Sequence, residues 1–420
     1  MYSEISFENP TTQNCFYLIH CCRFILFRSY KGFVMGFAGA LARIVFTRLI
    51  PLLILSLALL VGWLNLAPIP EGKLFATIVP MLKGVWPPTI VGHGKMAGTP
   101  LVPDDMLPEP RPENELFLEL PGGHSIPQSG IGMCCRPTAY DDVLVERTIL
   151  WYLLMGGRHI DTAHLYLNHE AVGKGIKAAI SRGVPREEIF LTTKVHPAFY
   201  GRNSTAEAVA TFLKELDVDY IDLILMHMPM RIPGFEWVSS DCSKSGLSKS
   251  DCRKETFLTL SELREKGLVR NIGVSNFPTK LLKEIESMEN AAPIANNQIN
   301  FNPWVSDGWM ETVEFCKEHG ITVTGYFTLG GSLQHHEAST VGVLNELAAK
   351  HGKSVAQIML RWAVQMGTIV IPGTGNPKHM RENLSIYSFE LSQEDMKAIE
   401  GLRTPEEMKR FKAMEETLMD

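Results

Sequence analysis

The segment GRHIDTAHLYLNHE, residues 157–170, passes from a short apolar run into a stretch crowded with groups that titrate or hydrogen-bond. Its first half, GRHIDTA (157–163), is apolar at the centre and bounded by turn-forming and polar residues, which is the pattern of a buried strand. Further runs share that pattern: SGIGM (129–133), EIFLTTK (188–194), DYIDLILMH (219–227), VRNIGVS (269–275), IANNQIN (294–300), GITVTGY (320–326) and GTIVIPG (367–373). Between them lie helical candidates such as DDVLVERTILWYLLMGG (141–157) and TAEAVATFLKELDV (205–218), whose apolar residues recur at three and four. Strands alternating with helices imply right-handed crossovers and a parallel sheet. Eight such units predict an α/β chain folded as a (β/α)8 TIM barrel. Ahead of the first unit, FLELPGGHSIP (117–127) predicts a hairpin turning at Gly122-Gly123, a plug for the lower end of the barrel.

In such a barrel, catalytic side chains sit at the C-terminal ends of the strands and in the loops that follow. Asp161 ends the second strand, Tyr166 stands in the loop after it, Lys194 ends the third strand and His227 the fourth. Any one of them alone reads as a cap, a packing residue or a solvated strand end. Together they converge on one mouth. His159 is expected to point inward as packing, His164 and His169 to lie on a loop or helix surface, and Glu170 to open the next helix.

Carbonyl reduction suits this group. A hydride arriving at a carbonyl carbon leaves charge on the oxygen, which must be stabilised and then protonated. A tyrosine hydroxyl, with an unperturbed pKa of about 10, is a reluctant acid or base near neutrality. A neighbouring ammonium favours its ionised form, and a carboxylate holds that ammonium in place. Tyr166, Lys194 and Asp161 thereby receive one role each, and His227 orients the substrate oxygen.

These segments resemble the aldo-keto reductase family over residues 116–402. GGRHIDTAHLYLNHEAVG is similar to the family signature around its aspartate and tyrosine, FLTTK to its lysine segment and DYIDLILMHMP to its histidine segment. The resemblance implies a nicotinamide dinucleotide cofactor. It assigns Ser275 and Asn276, from GLVRNIGVSNF, and Gln298, from NNQINFNP, to the carboxamide, and Tyr326, from TVTGY, to stacking on the ring.

Where the family usually has Ile-Pro-Lys-Ser and then an arginine to grip the 2′-phosphate, this chain has IPGTGNPKHMREN, with Gly373 and His379 at those places. Thr374, Glu382 and Asn383 keep the rest of the pattern, and Lys378 or Arg381 are the cations left to reach a phosphate. The expected cofactor is NADP, with NAD as the alternative. Phe327 replaces a phosphate-facing serine. Cys134, His196 and Met228 stand where members often carry substrate-facing indoles. Phe199, Tyr200, Trp237, Trp304 and Trp309 are the aromatics that either rebuild an apolar pocket or simply pack a loop. The alternative to an enzyme is a non-catalytic barrel that binds the cofactor as a redox-sensing or channel-associated subunit, but such a module has no need of a proton donor.

Composition agrees with a folded chain. Of 420 residues, 45% are hydrophobic and 20% charged, enough to bury a sizeable core. A net charge of -6 without a sustained basic block excludes nucleic acid as a partner. GHGKMAG (92–98) has the wrong spacing for a dinucleotide fingerprint. Eight cysteines include no metal-ligand spacing, so no metal is expected. Cys242 and Cys252 bracket a polar loop and are either closed by a disulfide or left as free surface thiols. Cys21 and Cys22 are juxtamembrane and are expected as bare thiols, with acylation as the alternative.

Residues 49–67, LIPLLILSLALLVGWLNLA, carry no charge and are long enough to cross a bilayer as a helix. Arg23, Arg28, Lys31, Arg43 and Arg48 precede the span and only Lys73 follows closely, which keeps the N-terminus cytosolic. The expected organisation is a cytosolic segment (1–48), a single transmembrane helix (49–67), a proline-rich stalk (68–115) and a barrel (116–420) facing the lumen of an endomembrane. The barrel is expected to act as a monomer on a small carbonyl substrate. The sequon Asn203-Ser204-Thr205 suits a lumenal surface loop.

Overall fold

The computed structural model describes residues 108–135, 139, 141–229, 240–330 and 341–403. All of them belong to one compact unit, Pro88–Asp420. The span at 49–67, the N-terminal segment, the stalk up to residue 107, Trp237, Cys21 and Cys22 lie outside the described residues. Among the described residues no helix is long and apolar enough to cross a membrane.

Two strands, β1 (Phe117–Glu119) and β2 (Ser125–Pro127), pair antiparallel as the hairpin. The remaining strands are β3 (Ile131–Gly132), β4 (His159–Asp161), β5 (Phe190–Val195), β6 (Ile221–Met226), β7 (Val269–Ser275), β8 (Asn296–Asn300), β9 (Thr322–Tyr326) and β10 (Ile369–Val370). They form one parallel 8-stranded sheet in sequential order. A parallel bridge between Ser129 and Val370 joins its two edges, reinforced by Gly130 N–H donating to Val370 O at 2.8 Å. The sheet is therefore a closed barrel, as the alternation of runs predicted. Each predicted run overlaps its strand, and β5 extends one residue past its run, to Val195.

Strands buried on both faces read as near-continuous apolar runs, and β6, IDLILM, is buried at every position. Alternate residues of each strand face opposite ways. His159 and Asp161 of β4, Phe190, Thr192 and Lys194 of β5, and Leu223 and Leu225 of β6 point inward. The inner apolar layer comprises Leu120, Ile126, Phe190, Leu223, Leu225, Ala295 and Ile369, with Leu118 packed against it. Leu118, Leu120 and Ile126 come from the hairpin, so it plugs the lower end as expected. Gly122 and Gly123 make its turn with φ of 104° and 85°, a region other residues rarely enter. Burying each large apolar side chain stabilises the fold by about 1.5–3 kcal/mol.

The outer layer consists of α1 (Asp142–Leu154), α2 (His169–Ile180), α3 (Arg202–Leu216), α4 (Ser240–Lys244), α5 (Lys249–Glu265), α6 (Thr279–Glu286), α7 (Asp307–Glu318), α8 (Gly342–His351), α9 (Val355–Gln365), α10 (Pro377–Leu384) and α11 (Gln393–Glu400). Polar caps set several starts: Asp141 accepts from the backbone of Val143 and Leu144, and Ser354 with Gln357 forms a capping box on α9. Cys242 and Cys252 are joined, with their Cα atoms 5.7 Å apart, so the disulfide alternative holds. Asn203 lies in the first turn of α3 rather than in a loop, because Thr205 turns inward and donates to Phe199 O at 2.9 Å. Residues 108–115 lie against the barrel, where Glu109 N–H donates to Leu154 O at 2.7 Å.

Candidate active site

The inward positions at the C-terminal ends of β4 and β5 bring Asp161 and Lys194 together. Lys194 is 0% exposed and uses all three of its ammonium hydrogens. They reach Asp161 Oδ1 at 2.7 Å, Thr162 O at 2.9 Å and Tyr166 Oη at 3.2 Å. Burial pulls the Lys194 pKa down, and the Asp161 carboxylate opposes that pull. The second oxygen of Asp161 accepts from Gln298 Nε2 at 2.7 Å. Both carboxylate oxygens are thus held.

Tyr166 ends a short 3-10 turn, His164–Tyr166, after which Leu167 reverses the chain with φ 57°. Its hydroxyl accepts from the ammonium, so its own proton is directed elsewhere. His227 follows β6 and is held by its N–H to Val195 O at 2.9 Å. Its ring stands edge-on to that of Tyr166, with centroids 5.7 Å apart. Burial is the main cause that lowers the His227 pKa well below the usual histidine value, with Lys194 and His196 adding to it. The ring is neutral at physiological pH. All four residues named from the sequence meet in one place.

Beside them, Ser275 pairs in register with Gln298 across β7 and β8. Ser275 Oγ donates to Gln298 O at 2.8 Å, Asn276 Nδ2 donates to His227 O at 3.1 Å, and Tyr326 Oη donates to Asn276 Oδ1 at 2.7 Å. Asn276 is 8% exposed and holds φ 63°, a left-handed conformation that asparagine tolerates better than most residues. Amide and hydroxyl groups therefore cluster beside the Lys194 ammonium, next to the half-buried ring of Tyr326. This donor and acceptor set, buried and adjoining an aromatic face, fits a carboxamide-bearing ring such as nicotinamide.

After β10, Thr374 is buried and Glu382 and Asn383 are half-buried. Thr374 Oγ1 accepts from Asn376 N at 3.0 Å, and Asn376 caps α10. The candidate cations are engaged: Lys378 Nζ lies 3.7 Å from Glu382 Oε1, and Arg381 pairs with Glu109 at 2.9 Å. Exposed pairs of this kind are weak and easily exchanged.

Among the residues expected to face substrate, Met228 is buried and its carbonyl accepts from Tyr200 Oη at 2.6 Å. His196 is buried with its ring 6.5 Å from that of His227, and burial pushes its pKa down to about 4. Its Nδ1 accepts from Ala198 N at 3.2 Å, which places the proton on Nε2. Cys134 is half-buried and joined to Cys135.

Several expectations are corrected here. His169 is not a surface residue: it is 3% exposed, with Nε2 2.8 Å from Thr193 Oγ1 and Nδ1 3.0 Å from Glu215. His164 is half-buried and stacks on Phe212 at 4.9 Å. Tyr200, Trp304 and Trp309 are buried in the main apolar cluster, which is the packing alternative for these aromatics. Asn168, unassigned from the sequence, is buried and ties the site together, accepting from Thr162 Oγ1 at 2.7 Å and donating to Met133 O at 2.9 Å. Its side chain sits seven positions after a strand end with no local periodic signal. His159 packs inside the barrel as expected, edge-on to Phe190, and burial lowers its pKa to about 4.

Residues 130–404 match the sequence model of the aldo/keto reductase family. The chain belongs to that family. It is 34% identical over 296 residues to prostaglandin F synthase 1 of Bos taurus, covering 68% of this chain and 90% of that protein. It is 35% identical over 282 residues to the 9,11-endoperoxide prostaglandin H2 reductase of Trypanosoma cruzi, covering 66% and 88%. It is 34% identical over 298 residues to aldo-keto reductase family 1 member C4 of Homo sapiens, covering 68% and 90%. The crystal structure of an aldo/keto reductase from Brucella melitensis superposes with a TM-score of 0.57 at 34% identity, covering 69% of this chain and 99% of that one. This aldo/keto reductase is an NAD(P)H-dependent oxidoreductase that reduces carbonyl compounds.

Proposed function

We propose that Tyr166 is the general acid of this reduction, with Lys194 and Asp161 preparing it and His227 orienting the carbonyl oxygen. When bound, the nicotinamide supplies the hydride. The observation that supports the assignment is the saturated ammonium of Lys194, one of whose three hydrogen bonds ends on the Tyr166 hydroxyl at 3.2 Å. As the proton leaves Tyr166, the buried cation beside it stabilises the phenolate, and Asp161 prevents that cation from losing its own proton. The neutral His227 ring donates to the substrate oxygen without competing as an acid. Ser275, Asn276 and Gln298 hold the carboxamide, Tyr326 supports the ring, and Thr374, Glu382 and Asn383 hold the distal nucleotide. Cys134, His196 and Met228 form the substrate wall. In this reading the enzyme acts as a monomer.

NADP is the preferred cofactor in this reading, with Lys378 recruited from its exposed pair. Substrates are lipophilic aldehydes and ketones, supported by relatives whose names refer to prostaglandins and by an uncharged span that holds the barrel near a bilayer. The span at 49–67 is a single-pass anchor with a cytosolic N-terminus and a lumenal barrel, in the endoplasmic reticulum or Golgi. The buried Cys242–Cys252 bond suits an oxidising lumen.

Two measurements test these readings. NADPH and NADH oxidation by the purified full chain in detergent, against a panel of short and long-chain aldehydes and ketones, should show turnover with NADPH preferred; cofactor binding without turnover would favour a non-catalytic barrel. Protease added to sealed microsomes should spare the barrel until detergent is added. Equal digestion before and after detergent removes the lumenal placement.

A further inference from the structure

The first barrel strand leads from the active site straight into a pair of adjacent cysteines. β3 ends at Gly132; Met133 then donates its N–H to Asp161 O at 2.9 Å and accepts from Asn168 Nδ2 at 2.9 Å. Up to this residue the chain is tied to the strand that carries the catalytic carboxylate. Immediately afterwards the sulfurs of Cys134 and Cys135 are joined, with Cα atoms 3.7 Å apart. Cys135 holds φ 66°, a left-handed conformation that residues other than glycine seldom adopt. The covalent ring between the two neighbours is closed in that conformation.

Accessibility singles out this pair. Cys135 is exposed and Cys134 half-buried, whereas Cys242, Cys252 and Cys316 are all buried. Among the described residues, a dissolved thiol meets Cys134 and Cys135 first.

We propose that Cys134–Cys135 is a reversible modification site on the substrate wall, exchanging with low-molecular-weight thiols and disulfides, and that its oxidised form gives the wall its binding shape. In the reducing direction an external dithiol attacks one sulfur as its thiolate, the Cys134–Cys135 bond breaks and a mixed disulfide forms. The second thiol of the reagent closes onto the first, the reagent leaves as a cyclic disulfide, and two protons end on the two cysteine sulfurs. Glutathione disulfide, accepting the same two electrons, runs the reaction back through two released thiols. Reduction opens the ring, Cys135 leaves the left-handed region, and the wall beyond Met133 relaxes. The strand ends holding Lys194 and Ser275 are untouched, so cofactor binding is preserved.

The proposal rests on carbonyl reduction only for its kinetic readout. The full chain in detergent is titrated with dithiothreitol, alkylated and peptide-mapped, while KM for 4-nitrobenzaldehyde and NADPH affinity by fluorescence are followed in parallel. Expected is loss of the Cys134–Cys135 bond before the Cys242–Cys252 bond, with KM rising roughly threefold to tenfold and NADPH affinity unchanged. Glutathione disulfide should restore KM. Cys135→Ser should show the raised KM without reductant and no further response, whereas Cys242→Ser/Cys252→Ser should still respond. Two alkylated thiols at Cys134 and Cys135 in the unreduced protein, or one KM in both thiol states, would overturn the proposal. A pair that opens and closes in a chain that binds NADPH but turns over no carbonyl supports the modification site and defeats the catalytic reading.

Discussion

Gln298 donates from Nε2 to Asp161 Oδ2 at 2.7 Å, across 137 positions of sequence. The carboxylate that faces the Lys194 ammonium through one oxygen is fixed in orientation by an amide through the other. A residue assigned to the cofactor is therefore also part of what aims Lys194.

Gln298→Glu tests that double role through its pH dependence. The new carboxyl can donate to Asp161 only when protonated, and a second buried negative charge beside Asp161 is strongly disfavoured. Its pKa is therefore raised, and the intact arrangement survives below that pKa and is lost above it. We expect kcat near the wild-type value at about pH 5.5 and at least about tenfold lower at about pH 8. A pH profile parallel to that of the wild type removes the coupling.

Tyr166→Phe should keep NADPH binding and lose carbonyl reduction by about 10²–10⁴, the usual size of general acid catalysis. The ring still packs against His227, so misfolding does not account for such a loss. His159→Gln is the matched control: it disrupts the buried contact with Thr192 at 3.2 Å and should lower stability by about 1–3 kcal/mol while leaving turnover per NADPH site intact. Near wild-type kcat in Tyr166→Phe would take that residue out of the mechanism.

The two candidate phosphate cations should not behave alike. Lys378→Ala is expected to raise KM for NADPH by about tenfold and to spare NADH, since a hydrogen bond to a charged group is of that size. Arg381 meets both carboxylate oxygens of Glu109, at 2.9 and 3.3 Å, whereas Lys378 lies 3.7 Å from Glu382, so Arg381→Ala should change less. Equal effects on the two cofactors, read from initial rates, exclude a contact with the 2′-phosphate.

Glu115 offers a stability test outside the site. Burial pushes its carboxyl up to about 7, with Arg111 and Arg158 opposing. Between the ordinary glutamate range and about pH 7, the folded chain keeps a proton that the unfolded chain releases, so this group's stability is present at low pH and lost as pH rises through 7. Glu115→Gln cannot ionise. Thermal unfolding should place it above the wild type by about 2–5 °C at about pH 8 and level with it at about pH 4. A variant less stable than the wild type at both pH values would mean that the Arg111 pairing outweighs the burial cost.

By itself the sequence determined the barrel, because strand and helix periods are local and each of the parallel strands announced itself as a short apolar run. It also brought Asp161 and Lys194 to one mouth, since a residue at a strand end is aimed by the pleat of its own strand, whereas Tyr166 reaches them through the turn His164–Tyr166. What only the tertiary structure decided is whatever depends on a partner far along the chain. HIDTAHLYLNHE carries no trace of Glu215 or Thr193, so the burial of His169 was invisible until α2, α3 and β5 came together. The cores that absorb Tyr200, Trp304 and Trp309 are built from several elements at once, and aromatic residues in loops look alike whether they face a ligand or a helix. Gln298 meets Asp161 only because closing the barrel brings the ends of β4 and β8 to one mouth, which no period within either strand encodes.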